Sequence, residues 1–320
     1  MSRMSNYPNG FSQGLTVRGI PLHVAHPGKV FYVNNSSVLA ATDDGVAGAD
    51  TPSNGTYQRP YSTIDYAIGR CVANRGDIIF VMPGHAENVA TAAAITADIA
   101  GVSIVGLGAG DKRPTLSWTA AAATVSVTAA DISFINCRFI NNFADVVTSF
   151  SVAAGGDSLS FQGCLFSDTS TVLNAVDFVT LATGADNISF INCRVVGKSA
   201  SNDSFITGVA HDGIFIEGCQ IQFDVAQTAV VGVVETSGNA TNVWIKNSFF
   251  RSNVDGALFL DFNGTANSGA VSNCYFSSLD VAGATTAGFD FTGGHVFQCY
   301  VAGEADTYGI VGGGTAYNDA

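Results

Sequence analysis

The sequence predicts an all-β solenoid of stacked parallel coils, and three observations predict it. Six of the seven cysteines, Cys137, Cys164, Cys193, Cys219, Cys274 and Cys299, follow one another at intervals of 27, 29, 26, 55 and 25 residues. The 55 spans two periods, with Ser248 filling the gap. Around each recurs one short pattern: ISFINCRF, LSFQGCLF, ISFINCRV, IFIEGCQI, VWIKNSFF, AVSNCYF, HVFQCYV. A repeat of this length with one strand pattern per period is a solenoid signature. Finally, no amphipathic segment of ten or more residues with period 3.6 is visible in the repeats, which excludes helical arrays.

Counting from the cysteine as zero, apolar residues occupy −3 (Phe134, Phe161, Phe190, Ile216, Ile245, Val271, Val296) and +2 (Phe139, Phe166, Val195, Ile221, Phe250, Phe276, Val301). The first five repeats also carry an aliphatic residue at −5. Steps of two are strand steps, and the step from −3 to 0 breaks that parity. A corner therefore separates two short strands. Position −1 holds Asn136, Gly163, Asn192, Gly218, Asn247, Asn273 and Gln298, mostly the residue types that enter a left-handed backbone cheaply. Asp131, Asp157, Asp186 and Asp212 precede the first strand as turn residues.

Upstream, GDIIFVMPG (76–84) and GVSIVGLG (101–108) carry the same alternation and add two coils. About nine coils, each ~4.8 Å thick, are expected. Before them, Pro60 and Ser62 or Thr63 start a helix with an Ile64, Ala67, Ile68, Cys71 stripe. An open solenoid end exposes unpaired backbone, so this helix is expected to cap it. The expected organisation is an arm and linker over 1–54, a capping helix over 55–75, the coils over 76–302, and a Gly-rich tail over 303–320 that leaves the far end to a loop or another subunit.

The corner with its Asn, and the inward stacks of aliphatic, aromatic and cysteine side chains, resemble right-handed parallel β-helices of the pectate-lyase-like kind over roughly residues 56–305. That resemblance speaks for fold, because this fold hosts many functions.

The 320 residues are 47% hydrophobic and only 12% charged, with a net charge of −13. No basic face for nucleic acid is expected. Residues 1–42 hold Arg3, Arg18 and Lys29 and no acid, so the remainder carries −16. The opening MSRMSNYPNGFSQG has no apolar run of a secretion signal, and no stretch has the length of a membrane span. Reduced thiols packed as small hydrophobes are expected, without disulfides. There is no C-x-x-C spacing for zinc or redox chemistry.

The segments SNYPNGF and GLTVRGIPLHVAHPGKVFYVNNSS, within residues 1–37, resemble the N-termini of a group of tailed-bacteriophage virion proteins. The resemblance implies a virion structural role, with assembly in the host cytoplasm. From it follows the expectation of a non-enzymatic capsid decoration or cement protein without cofactor or metal. Its arm, through Arg3, Arg18, Lys29, Phe31 and Tyr32, would dock on the major capsid protein, and the strand-like GKVFYV (28–33) would be free to pair with a neighbouring subunit. A homotrimer is expected about the uncovered C-terminal end, with no membrane or nucleic-acid partner.

The alternative is a tailspike or tail-associated β-helix that binds or depolymerises host surface polysaccharide. Depolymerisation needs acids gathered on one outer face. The candidates are His211-Asp212-Gly213, Asp255 with Asp261, and Asp43-Asp44, none of which forms an acid cluster by sequence. Asp212 already has a turn role. A calcium ladder on the turn aspartates would lack oxygens, and His23 with His26 lack a third ligand. His85 and His295 are single turn residues. A glycan-binding module would expose aromatics, and Trp118 and Trp244 are the two tryptophans.

Overall fold

The computed structural model describes residues 16–17, 20–21, 28–35, 48–224, 233–252, 258–278, 288–302 and 308–311. The chain is an all-β parallel solenoid with three stacked sheets. The first runs from Val30–Val33 to His295–Phe297 and the second from Ala86–Val89 to Tyr308–Val311, with ten strands each; the third runs from Ile95–Ala97 to Gly288–Phe291 with eight. Each coil contributes one strand to each sheet, so the coil strands bond to strands one period away.

The repeat positions stack as their parity demands. Phe134 pairs with Phe161 and Phe161 with Phe190 in the first sheet, and Phe139 pairs with Phe166 in the second. The Phe134–Phe161 and Phe161–Phe190 rings stack at 5.4 and 5.2 Å with interplanar angles of 13° and 9°. Burying such rings stabilises by about 1.5–3 kcal/mol each. All seven corner residues from Asn136 to Gln298 have φ between 51° and 65°. This turns the chain in one residue and starts the second-sheet strand with its first inward residue at the cysteine.

The six ladder cysteines are free and buried. Their thiols donate to carbonyls of the same stack, as Cys164 to Phe134, Cys193 to Phe161 and Cys219 to Phe190, at 3.3–3.4 Å. These three sulfurs therefore pack as small hydrophobes and also meet a backbone acceptor one coil away.

The turn aspartates stitch coils together. Asp157 Oδ1 accepts from the Asp186 amide at 3.0 Å, and Asp186 Oδ1 from the Asp212 amide at 2.9 Å. Asp212 Oδ1 accepts from Thr241 Oγ1 at 2.7 Å and from Asn242 Nδ2 at 2.5 Å.

Both ends differ from the sequence expectations. The helix spans only Ile64–Ile68, with Thr63 as N-cap and Ile64, Ala67 and Ile68 buried. It is short because Gly69 ends it and Asp77 then gathers the chain, accepting from the Val72 amide and both arms of the Arg75 guanidinium. The strand Val30–Val33 pairs in parallel with Ile78–Val81 of its own chain. Its alternation matches a coil strand, and the open edge at Ile78–Val81 needs a partner. At the far end, Tyr308–Val311 returns antiparallel to Cys299–Ala302. The chain's own return thus covers the second sheet's edge, and the homotrimer expectation loses that argument.

Candidate functional site

Outward positions of the first sheet form continuous rows. One row runs Ser103, Ser133, Ser160, Ser189 and then Phe215 and Trp244, all in register. Two residues along, Ile191, Glu217 and Lys246 align beside it. The row turns from hydroxyl to aromatic midway. There a groove of about 590 Å³ opens, lined by Ser189, Ile191, Phe215, Glu217, Trp244 and Lys246 with Ser158 and Asn187 at its side.

Trp244 is 50% exposed at this site. Trp118, by contrast, is wholly buried, donates from Nε1 to Ser149 O at 3.0 Å, and packs on Phe139 and Phe150. Lys246 and Glu217 meet at 3.2 Å, both about half exposed, a surface ion pair that contributes little to stability. The groove thus offers an aromatic floor with an amide, hydroxyls and both charges at its margin. Few polar groups on an apolar floor is the composition of a small-molecule or saccharide site.

A second constellation lies on the third sheet. Glu235 and Asp261 occupy consecutive outward rungs, with Thr207 on the rung before Glu235. Thr207 Oγ1 donates to Glu235 Oε1 at 2.7 Å. Ser204 Oγ donates to Asp177 Oδ1 at 3.0 Å. Burial holds the Asp177 carboxyl up at about 6, against the Ser204 hydrogen bond and with help from the charge of Asp203. Burial also raises Asp203. It raises Glu235 too, where the Thr207 bond opposes it and the charges of Asp203, Asp177 and Asp261 add to it. Displaced carboxyl groups beside one another are what acid–base chemistry uses. Among the described residues, no three His, Cys, Asp or Glu side chains are arranged to hold a metal ion.

The sequence reading missed this row. Asp261 is one of its candidates, and the structure sets it beside Glu235, which the sequence reading did not single out. The signal lay in aligning ITG (206–208), VET (234–236) and LFLDF (258–262) as one strand position. The proposed partner Asp255 lies outside the described residues, as do Asp43-Asp44, His23, His26, Arg3 and Arg18.

The remaining candidates have structural surroundings. His211 is buried, its Nδ1 meeting Ala185 O at 3.1 Å while Nε2 accepts from the Val209 amide; burial lowers its pKa. His85 is buried with Nε2 at 3.0 Å from Glu87 Oε2, and that oxygen also accepts from the Ile64 amide at the helix start. His295 lies on the last strand of the first sheet, in register with Ala270. Of the arm residues, Phe31 lies 6.0 Å from Tyr61, and Tyr32 lies 5.7 Å from both Tyr57 and Phe80. The Lys29 amide donates to Asp77. Phe31 and Tyr32 are thus engaged within the body, because pairing with Ile78–Val81 draws their strand into the first sheet.

No protein-family model matches the sequence, and no curated protein matches it. Solved structures of similar course include a rhamnogalacturonan lyase, with 12% identity, a TM-score of 0.43 and 89% of each chain covered. They also include a pectin methylesterase in complex with a hexasaccharide, with 14% identity, a TM-score of 0.49, and 90% of this chain and 93% of that chain covered. The class these observations define is an all-β parallel β-solenoid. The expectation of a non-enzymatic chain is corrected. The solved structures of similar course bear the names of a lyase and a methylesterase. The supposed lack of gathered acids does not hold, since Glu235 and Asp261 share one outer face.

Proposed function

We propose that this chain binds a polysaccharide along the outward face of its first sheet, with Trp244 and Phe215 as the stacking platform. The observation that carries the reading is the half-exposed Trp244 in register with Phe215 over a groove of about 590 Å³. A sugar ring presents a C–H face that packs on an indole and a hydroxyl rim that seeks amides, hydroxyls and charged groups. Asn187, Ser189, Glu217 and Lys246 are at hand for that rim. The resemblance of residues 1–37 to virion N-termini supports placing this binding on a tail-associated component of a bacteriophage, with a host surface polysaccharide as ligand.

The test is titration with candidate host polysaccharides while following tryptophan emission. Trp118 is sealed in the core, so the response reports Trp244. Saturable quenching is expected in wild type, and loss of binding in Trp244→Ala, which lacks the reporter, is read by calorimetry. A purified host polysaccharide that binds Trp244→Ala as tightly as wild type removes the groove from the reading. Deleting residues 1–27, which leaves the Val30–Val33 rung on Ile78–Val81, tests the virion setting separately: the body is expected to keep saccharide binding and to lose attachment to particles.

One observation favours cleavage in addition to binding. Glu235 and Asp261 sit on adjacent rungs, ~4.8 Å apart by strand spacing. That is the order of separation used by an acid and a nucleophile flanking a glycosidic bond. With Asp177 raised to about 6, one group of the set is part-protonated near neutrality. Wild type is expected to release reducing ends from polymer lying on the third sheet, a face apart from the groove, and Glu235→Gln to lose most of that release. No product from wild type over a day at saturating polymer would leave binding alone.

A further inference from the structure

A second recess, of about 420 Å³, lies where the first sheet turns into the second, in the coils that lead up to the groove. Its walls are the 108–111 turn, Arg113, Asn136, Arg138 and Leu165. The turn is fixed in place: Asn136 Nδ2 donates to Gly106 O at 2.8 Å and to Gly108 O at 3.0 Å. Gly110, at φ +56°, has no heavy atom within 4 Å of where a Cβ would stand, so the recess is open on that side.

Two guanidinium groups share this space. Arg113 NH1 donates to Gly163 O at 2.9 Å and lies 3.5 Å from Asn136 Oδ1, which pins it across the corner. Arg138 opens its second-sheet strand with a side chain only 25% exposed. Its NH1 reaches Asp111 Oδ1 at 3.5 Å, the outer limit of a hydrogen bond, and that carboxylate is fully exposed. Arg138 Nε is buried with no hydrogen-bond partner. A buried donor left unmade is unfavourable and rare in folded proteins. The chain has only 13 Lys and Arg against 26 acids, yet two of its cations face one recess with no buried carboxylate between them. A planar or tetrahedral oxyanion would accept from the Arg138 Nε–H and a terminal N–H together, the paired geometry that guanidinium groups make.

We infer that this recess is an oxyanion site, with Arg138 the principal donor and Arg113 the second. Leu165 at its rim and Ile191 in the groove belong to adjacent coils. The oxyanion is thus either an acid group on a sugar chain that also lies in the groove, or a free anion.

The full chain is titrated calorimetrically at constant ionic strength with three probes: inorganic phosphate alone, an oligosaccharide with one carboxylate per sugar, and the same oligosaccharide with its carboxylates reduced to alcohols. The acidic oligosaccharide is expected to bind at least about tenfold more tightly than the reduced one, and Arg138→Gln to erase the difference. Arg138-dependent binding of phosphate, with the two oligosaccharides bound alike, keeps the site and assigns it to a free anion. If neither phosphate nor the acidic oligosaccharide loses affinity in an Arg138→Gln protein with native circular dichroism, the inference is overturned. Should that variant not fold, Arg138→Lys keeps the charge without the fork, and affinity unchanged there overturns it equally. The groove fails separately. Trp244→Ala removes binding of the reduced oligosaccharide but leaves Arg138-dependent phosphate binding in place.

Discussion

The backbone amide of Cys219 donates to the hydroxyl of Ser248 at 3.1 Å, one coil further on. The amide of Cys193 makes the equivalent bond to the Cys219 sulfur at 3.4 Å. Ser248 therefore continues the thiol ladder, and its own hydroxyl donates to Lys246 O at 2.9 Å. Ser248→Cys is expected to stay within ~0.5 kcal/mol of wild type, since it restores the repeat. Ser248→Ala strips the Cys219 amide of its partner and is expected to lose about 1–2 kcal/mol, read from urea unfolding.

The ladder thiols are predicted to be inert in the native state. All seven cysteines are buried, and burial pushes the Cys137 thiol up to about 12. Ellman's reagent at pH 8 is expected to label none of the seven in native protein and all seven in guanidinium chloride. Rapid labelling of any ladder cysteine in folded protein would contradict the stacking.

The corner is conformational before it is chemical. Asn247 has φ +52°. Asn247→Gly should fall within about 0.5 kcal/mol of wild type. Asn247→Ala carries a Cβ in the same left-handed backbone and should lose about 1–2 kcal/mol. Equal stability of the two variants, by urea midpoint, would mean the corner relaxes.

Asp168 holds three coils together. Its carboxylate is buried and accepts from Asn141 Nδ2 at 3.2 Å, the Ala175 amide at 3.0 Å, the Lys198 amide at 2.9 Å and Asn202 Nδ2 at 2.8 Å. Asp168→Ala leaves these donors unmet. It is expected to lose about 3 kcal/mol or more, several degrees of melting temperature.

Asp177 makes stability pH-dependent. Its folded pKa of about 6 lies above its unfolded value of 3.8. The folded state therefore binds the extra proton between these values, and the stabilisation is fully present below about pH 4 and lost as pH rises through 6. Asp177→Asn should remove that fall, worth on the order of 2 kcal/mol between pH 4 and 7. A urea midpoint in which wild type and variant change identically over this window would rule out Asp177 as its source.

The repeat made the first two sheets legible. One position recurring as Cys, one as Asn or Gly, and two as Phe or aliphatic residues encode corner and inward faces by parity, and parity survives without coordinates. The third sheet was not legible, because its strands stand at variable distances from the corner. Glu235 and Asp261 are 26 residues apart with dissimilar neighbours, and only in-register pairing sets them on one face. The same holds for Val30–Val33, whose alternation reads equally as a free strand or as a first rung until its edge partner is known.

By itself, the amino-acid sequence determined that the chain is a solenoid of short strands turning at a left-handed corner, since backbone sterics and period-two burial are local properties. Only the tertiary structure decided which outward residues become neighbours, setting Trp244 over Phe215, Glu235 beside Asp261, and Arg138 into a recess with Arg113. Those contacts depend on how many loop residues separate successive rungs, and loop length carries no signature of the face to which it returns the chain.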